Sequence, residues 1–461
     1  MDKTAVGINK PGLCSHRLDD TALARNFSDA HPPLSRHQAQ IEAERCYYCH
    51  DAPCITACPT GIDIPSFIAR VAQGNERGAA EAILTANPLG GMCARVCPTE
   101  ILCEQACVRN SLEDKPVEIG LLQRHATDHF FASQAVGAKP LFERAASSGK
   151  RVAVVGAGPA GLAAAHGLAR CGHAVTLIES RSKLGGLNEY GLASYKTTGG
   201  FAQQEVQWLL SIGGITVQTS TQLGRDISLA QLCESHDAVF LGLGLAGVNA
   251  LGIAEPPLSE AMDSVEGLRD AVDFIAELRQ AGHPRDIAVG QRVLVIGGGM
   301  TAVDAAVQSR LLGAREVQIV YRRGPAQMGA SAHEQAWAQQ NGVQLRCWAR
   351  PLELLSQNGR VSGMRFAVTA EQDGRLIDTG EQFELAADMV LKAIGQQFVA
   401  DPVAAQLELQ NGRLRTDEDG RCGQTRIWAG GDCRHGGRDL TVEAVEHGKR
   451  AAIAIDQMLR G

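Results

Sequence analysis

Short apolar runs, each closing on a turn, set the rhythm of the chain beyond residue 150. Arg151 to Val155 is the first, β-branched enough to read as a buried parallel strand. An Ala-rich stretch of helical character follows, then a second run, Ala174 to Ile178. Gly200 to Leu210 reads as helix and Ala238 to Gly244 as strand. A second strand–helix–strand set starts at Arg292 and reaches Val317 to Tyr321. Asp388 opens an apolar strand running to Gly395, Ile427 to Ala429 is a further one, and Thr441 to Met458 reads as a helix. Before residue 150 the pattern changes. Residues 1 to about 40, with Pro11, Pro32 and Pro33, show no sustained periodicity and read as an irregular leader. From Gln38 the spacing is helical, and Ile62 to Leu84 reads as two short helices. An Ala/Ser-rich connector, Ser133 to Ser148, parts the two regimes.

Two of the turns carry nucleotide-binding signatures. Gly156, Gly158 and Gly161 form G-x-G-x-x-G before the helix that begins at Pro159 and Ala160. The first glycine permits a tight turn, the second admits a pyrophosphate, and the third lets helix pack on strand. Glu179, ending the second strand, is placed to bond a ribose hydroxyl. A tight turn in an unrelated α/β protein leaves that acid unexplained. Lys183 to Leu187, with Gly185 and Gly186, forms a loop suited to close over the flavin side of a dinucleotide. In the second set Gly297, Gly299 and Ala302, with Gly298 and Thr301 between, form G-x-G-x-x-A. Its strand ends in Arg322 and Arg323, and an arginine there can pair with a 2′-phosphate, which favours NADPH. A solvated arginine pair is the plainer alternative. Ala393 and Gly395 close one later strand, and Gly431 and Asp432 close another. One dinucleotide fold nested in the other gives an FAD domain interrupted by a pyridine-nucleotide domain, completed on return by Asp432.

Cysteine is unevenly spread, with nine of 14 in the first 107 residues, which marks a separate domain. Cys46, Cys49, Cys54 and Cys58, followed by Pro59, read C-x2-C-x4-C-x3-C-P; Cys93, Cys97, Cys103 and Cys107 form a second group. Zinc competes for C-x2-C, but long runs with a Cys-Pro in each are similar to the two-cluster ferredoxin arrangement. Thiol count alone makes Cys93 the eighth ligand. The later thiols, Cys171, Cys233, Cys347, Cys422 and Cys433, make no C-x-x-C, so the redox disulfide of a thioredoxin-reductase type is missing. No serine or cysteine nucleophile constellation is evident. A net charge of −7 without a basic block argues against nucleic acid. The N-terminus MDKTAVGINK has no signal-peptide core and the apolar runs are too short to span a bilayer, so a cytoplasmic protein is expected, with no membrane partner.

Together, the cysteine-rich leader, GAGPAG, GGGMTAVD and AGGD resemble an electron-transfer module found as the small subunit of bacterial glutamate synthase and as the N-terminal part of dihydropyrimidine dehydrogenase. The likeness runs from about residue 40 onward. Asn188 to Lys196, Val239 to Ala250 and Thr441 to Val445 make it most similar to the separate FAD/iron–sulfur subunit of bacterial two-subunit dihydropyrimidine dehydrogenases. That resemblance implies one [4Fe–4S] cluster on Cys46, Cys49, Cys54 and Cys107. It implies a second on Cys58, Cys97, Cys103 and the amide of Gln123, with Cys93 a structural neighbour. It brings Lys196 and Thr441 into the cofactor site and favours NADH, against the arginine pair. Gly329 stands about where the NADPH-linked enzymes carry a further arginine.

The expected fold class is α/β: an N-terminal α-helical two-cluster domain (1–145), an FAD-binding domain in two parts (146–247 and 398–461), and an NAD(P)H-binding domain (248–397). The expected activity passes electrons from NAD(P)H through FAD and two [4Fe–4S] clusters to an FMN-containing partner subunit, which reduces uracil or thymine to the 5,6-dihydro form. The alternatives are glutamate synthase feeding, a self-contained disulfide reductase, and a zinc-bearing nucleotide-sensing subunit.

Overall fold

The computed structural model describes residues 12–13, 17–134, 140–253 and 265–461. Pro11 and residues 135–139 of the connector lie outside them. The chain gathers into two compact units, each built from separated stretches. One takes His31–Glu189, Lys196–Gly247 and Gln397–Gly461; the other takes the residues up to Ala30, Tyr190–Tyr195 and Val248–Gln396.

In the first unit, short helices carry the cysteines. Arg36–Glu44 starts at a Ser35/Gln38 capping box, Ile64–Ala72 is capped by Asp63, and Glu76–Ala86 by Asn75. Gly90–Val96 and Ile119–Ala132 follow. Their apolar faces meet at Phe67, Ile68, Ile83 and Leu122, all essentially inaccessible. The same unit holds a five-stranded parallel sheet in the order Ile427–Ala429, Ala238–Leu241, Arg151–Val155, Ala174–Ile178, Ile215–Gln218. The helices Pro159–Arg170 and Thr441–Arg460 pack on each other against this sheet, as the continuous apolar runs require.

The second unit repeats the plan. Its parallel sheet runs Leu268–Asp270, Met389–Lys392, Arg292–Ile296, Glu316–Val320, Gln344–Arg346, joined by a three-stranded antiparallel sheet, Ala349–Gln357, Arg360–Gln372 and Arg375–Ala386. The sequence reading had no strands between 349 and 386. The leader also differs from expectation. Asp19 caps a helix, Asp20–Asn26, whose Leu23 enters the core beside Phe274, Ile275 and Val307. Residues up to Ala30 therefore group with the second unit, not with the cysteine helices of the expected 1–145 domain.

Candidate functional site

The three glycines of the first turn do different work. Gly156 has φ +92°, and a Cβ there would meet the Gly242 carbonyl oxygen at 2.2 Å. A Cβ on Gly161 would lie 1.8 Å from the Gly156 carbonyl oxygen. At Gly158 the nearest atom is Gly186 Cα, 3.8 Å away. The fold needs the outer two, whereas the middle one keeps a space open. Gly158 also caps the helix Pro159–Arg170 without any side chain satisfying its first-turn donors, Ala160 and Gly161 among them. Such an end suits an anion. Gly185 N–H donates to the Ala157 carbonyl at 2.8 Å, laying the Lys183–Leu187 loop along the turn. Gly431 comes against Ala160 from the far end of the sequence.

Glu179 is buried at the end of its strand. Its carboxylate accepts from Ala157 N–H at 2.9 Å, from Arg181 N–H at 2.8 Å and from the Ser180 hydroxyl at 3.1 Å. It thus braces the glycine turn. Glu179→Ala should lower bound FAD by about tenfold or more, the scale of a lost charged hydrogen bond. Iron content should stay at the wild-type level; a variant isolated with full FAD would show the site to be misplaced. Asp432 lies on the turn Gly431–Cys433, where burial and the neighbouring Asp439 push its carboxyl up to about 7 against Arg413. His447 Nδ1 accepts from Gly431 N–H at 3.2 Å, and burial lowers its pKa to about 4. The Thr441 hydroxyl donates to Asn188 Oδ1 at 3.1 Å, and Lys196 is half-buried.

The second turn has the same division. A Cβ on Gly297 would lie 2.1 Å from the Ala393 carbonyl oxygen and one on Gly298 2.6 Å from the Tyr321 ring, but Gly299 has nothing within 4 Å. Gly299 caps Met300–Leu311, again without a side-chain cap, so Thr301 and Ala302 sit in its open first turn. Gly395 has φ +92°. Ala330 N–H donates to the Gly298 carbonyl at 2.9 Å, which brings Gly329 beside the turn. Arg322 and Arg323 are both exposed, and neither guanidinium pairs with a described residue. Asp304, which sequence reading passed over, accepts from Ala193 N–H at 3.1 Å and from the Tyr195 hydroxyl at 3.4 Å.

The cysteines fall into two sets. Cys46, Cys49, Cys54 and Cys107 line one cavity, walled by Ile64, Ile68, Val117 and Ile119. Burial, with Cys46 and Cys107 alongside, pushes the Cys54 thiol up to about 12. Crowded neutral thiols of this kind suit a cationic iron centre, which supplies the missing positive charge. In the other set, the adjacent Cys93 thiol and burial raise Cys97 well above its ordinary value, with Cys103 and Cys58 close by. Among the described residues no three His, Cys, Asp or Glu side chains converge on one metal ion. Gln123 is buried, and its Nε2 donates to the Gly90 carbonyl at 2.7 Å, one turn before Cys93. Cys93 and Cys97 are hydrogen-bonded to each other across one helical turn.

One array was not anticipated. Ser148 Oγ lies 2.7 Å from His173 Nδ1, and His173 Nε2 lies 2.9 Å from Asp456 Oδ1. The Ser148 oxygen also accepts from Lys150 N–H at 3.2 Å, and His173 is fully buried. The row ties the connector to the sheet rather than presenting a nucleophile.

Residues 23–135 match the family model for dihydropyrimidine dehydrogenase domain II, 4Fe-4S cluster, and residues 150–448 match that for pyridine nucleotide-disulphide oxidoreductase. The NAD-dependent dihydropyrimidine dehydrogenase subunit PreT of Escherichia coli (strain K12) is 34% identical over 438 residues, 95% of this chain and 98% of that one. The glutamate synthase [NADPH] small chain of the same strain is 32% identical over 453 residues, 93% of each. In fold, Mycobacterium tuberculosis FprA in complex with NADPH is similar, with a TM-score of 0.56 at 20% identity over 68% of this chain and 84% of that one.

Proposed function

The chain belongs to the family of NAD-dependent dihydropyrimidine dehydrogenase subunits, and from that footing we propose the following division of work. It is the electron-input subunit, an NAD(P)H-dependent oxidoreductase using FAD and two [4Fe–4S] clusters. It serves a partner subunit; the FMN-containing, pyrimidine-reducing kind is our reading of that partner, with uracil or thymine reduced there. Among the described residues no helix is long and apolar enough to cross a membrane, and we assign the protein to the cytoplasm.

The observation that carries this reading is a contact within one unit. Cys93 and Cys97 pack against Leu440 and Val442 at the start of the helix Thr441–Arg460, so the helix leading into the proposed ligand Cys97 sits directly on the flavin-type fold. When bound, the groups supply hydride uptake from the nicotinamide and one-electron conduction outward. The residues bind, orient and insulate. Gly158 leaves room for one pyrophosphate and Gly299 for the other, with uncapped helix donors behind each. Glu179 and Asp432 take ribose and ribityl hydroxyls. Cys46, Cys49, Cys54 and Cys107 would hold one cluster; Cys58, Cys97, Cys103 and the Gln123 amide oxygen would hold the other. Donation from Gln123 Nε2 to Gly90 fixes the amide and leaves that oxygen for the metal.

Two measurements test this. The isolated chain should oxidise NADH with ferricyanide yet leave uracil untouched, uracil turnover appearing only with the partner present. Uracil reduction by the single chain overturns the division, and glutamate formation with a copurified amidotransferase favours the glutamate synthase alternative. For the eighth ligand, Cys93→Ala should keep both cluster signals in electron paramagnetic resonance and Gln123→Ala should lose one. The reverse result reassigns the site to Cys93.

A further inference from the structure

Glu205 lies on the helix Phe201–Leu210 of the flavin-type fold and is 1% exposed. Its Oε1 accepts two backbone donors, Gly91 N–H at 2.8 Å and Met92 N–H at 3.1 Å, both from the first turn of the helix bearing Cys93 and leading into Cys97. Oε2 is buried and has no hydrogen-bond partner among the described residues. Burying a carboxyl this way costs several kcal/mol unless it is compensated. Burial raises its pKa to about 8, against the two backbone donors and the nearby Arg95 cation. An apolar side chain would avoid that cost but would leave the Gly91 and Met92 N–H groups, first-turn donors of a helix without its own side-chain cap, buried and unpaired. The carboxyl therefore serves as a cap supplied to the cysteine helix from the flavin-type fold.

The surroundings form a linkage. Phe201, one turn before Glu205, stacks under the Arg95 guanidinium at 3.5 Å from its ring centre, and Arg95 pairs with Asp128. A Cβ on Gly91 would strike Phe201 Cζ at 2.5 Å, so the cysteine helix is seated on this face without slack. From the same helix, Gln203 Nε2 donates to the Leu184 carbonyl at 2.7 Å and to Glu189 Oε2 at 3.0 Å, in the loop that lies along the flavin glycine turn. One helix therefore grips the flavin loop with Gln203 and the cysteine helix with Phe201 and Glu205. We propose that Glu205 is a positioning residue for internal electron transfer, holding the second cluster's helix at a fixed distance from the flavin by accepting the Gly91 and Met92 N–H groups.

The inference rests on the function proposed above. Its test uses the full chain loaded with FAD and iron, as Glu205→Gln and Glu205→Leu. Stopped-flow absorbance follows flavin bleaching by NADH and the later cluster reduction separately. Glu205→Gln keeps an amide oxygen for both donors and should behave as wild type. Glu205→Leu should bleach its flavin normally and reduce its clusters about tenfold more slowly or worse. Amide hydrogen exchange at Gly91 and Met92 should accelerate in Glu205→Leu alone, whether or not cofactors are loaded, so a poorly loaded variant still reports. Wild-type exchange and cluster reduction in Glu205→Leu overturn the proposal. So does equal slowing in Glu205→Gln, which keeps an acceptor for both N–H donors. A wild-type chain whose flavin NADH does not bleach overturns the function instead.

Discussion

Gly158→Ala should yield a chain that folds and melts as the wild-type apoprotein does but is isolated almost free of FAD. The added methyl meets nothing closer than 3.8 Å, and Gly158 has an ordinary φ of −75°, so the fold has no reason to object. The methyl would stand in the space we propose for a pyrophosphate, before the uncapped donors of Pro159–Arg170. Loss of those charge-assisted bonds is worth several kcal/mol, hence FAD affinity down by about a hundredfold or more. Gly161→Ala is the control, because its methyl would stand 1.8 Å from a carbonyl oxygen and damage the fold itself. Thermal melting of the two apoproteins, with flavin absorbance of the loaded forms, distinguishes a binding defect from a folding one. Full flavin in Gly158→Ala sinks the assignment of that space.

Cys54→Ser should remove one cluster, halving iron and sulfide, and should end delivery to the partner while NADH–ferricyanide activity persists. Cys54 shares a cavity with Cys46, Cys49 and Cys107 alone among the thiols, and a serine alkoxide is a poor substitute for thiolate on iron. The second cluster, for which we propose Cys58, Cys97, Cys103 and Gln123, should keep its signal. Loss of both clusters from Cys54→Ser would mean that the two sets are not independent sites.

What the sequence disclosed follows from how local each signal is. Gly156, Gly158 and Gly161 announce themselves within six residues, because backbone geometry at a tight turn leaves few residue choices. Local spacing marked the cysteine domain but put Cys58 with Cys46, Cys49 and Cys54; the place of Cys107 in their cavity, far along the chain, was implied only by the family resemblance. The hairpins across 349–386 were missed although their turns, Asn358-Gly359 and Asp373-Gly374, carry the dipeptides that favour left-handed pairs; all four residues have positive φ. Arg375–Ala386 is largely exposed on both faces, so no apolar alternation drew attention to it. Glu205 was illegible in principle. Its partners lie more than a hundred residues away, and an acid in a helix reads as solvated until its burial is known. The leader helix was hidden differently, since Leu23 alone of its residues is buried.

The flavin-side sheet is closed by Ile427–Ala429 lying beside Ala238–Leu241, with Val248–Gln396, the longest stretch of the second unit, between them in sequence. During synthesis on the ribosome, the edge of Ala238–Leu241 emerges long before its neighbour exists. An open parallel edge with apolar faces is the kind of surface that pairs wrongly or aggregates. The intervening unit, whose own sheet is complete by Lys392, is able to fold in that interval and bring the late strand home. Nascent chains stalled before residue 427 should therefore contain a protease-resistant nicotinamide unit and a flavin half still open to digestion, and chaperone capture should end as the last strand docks.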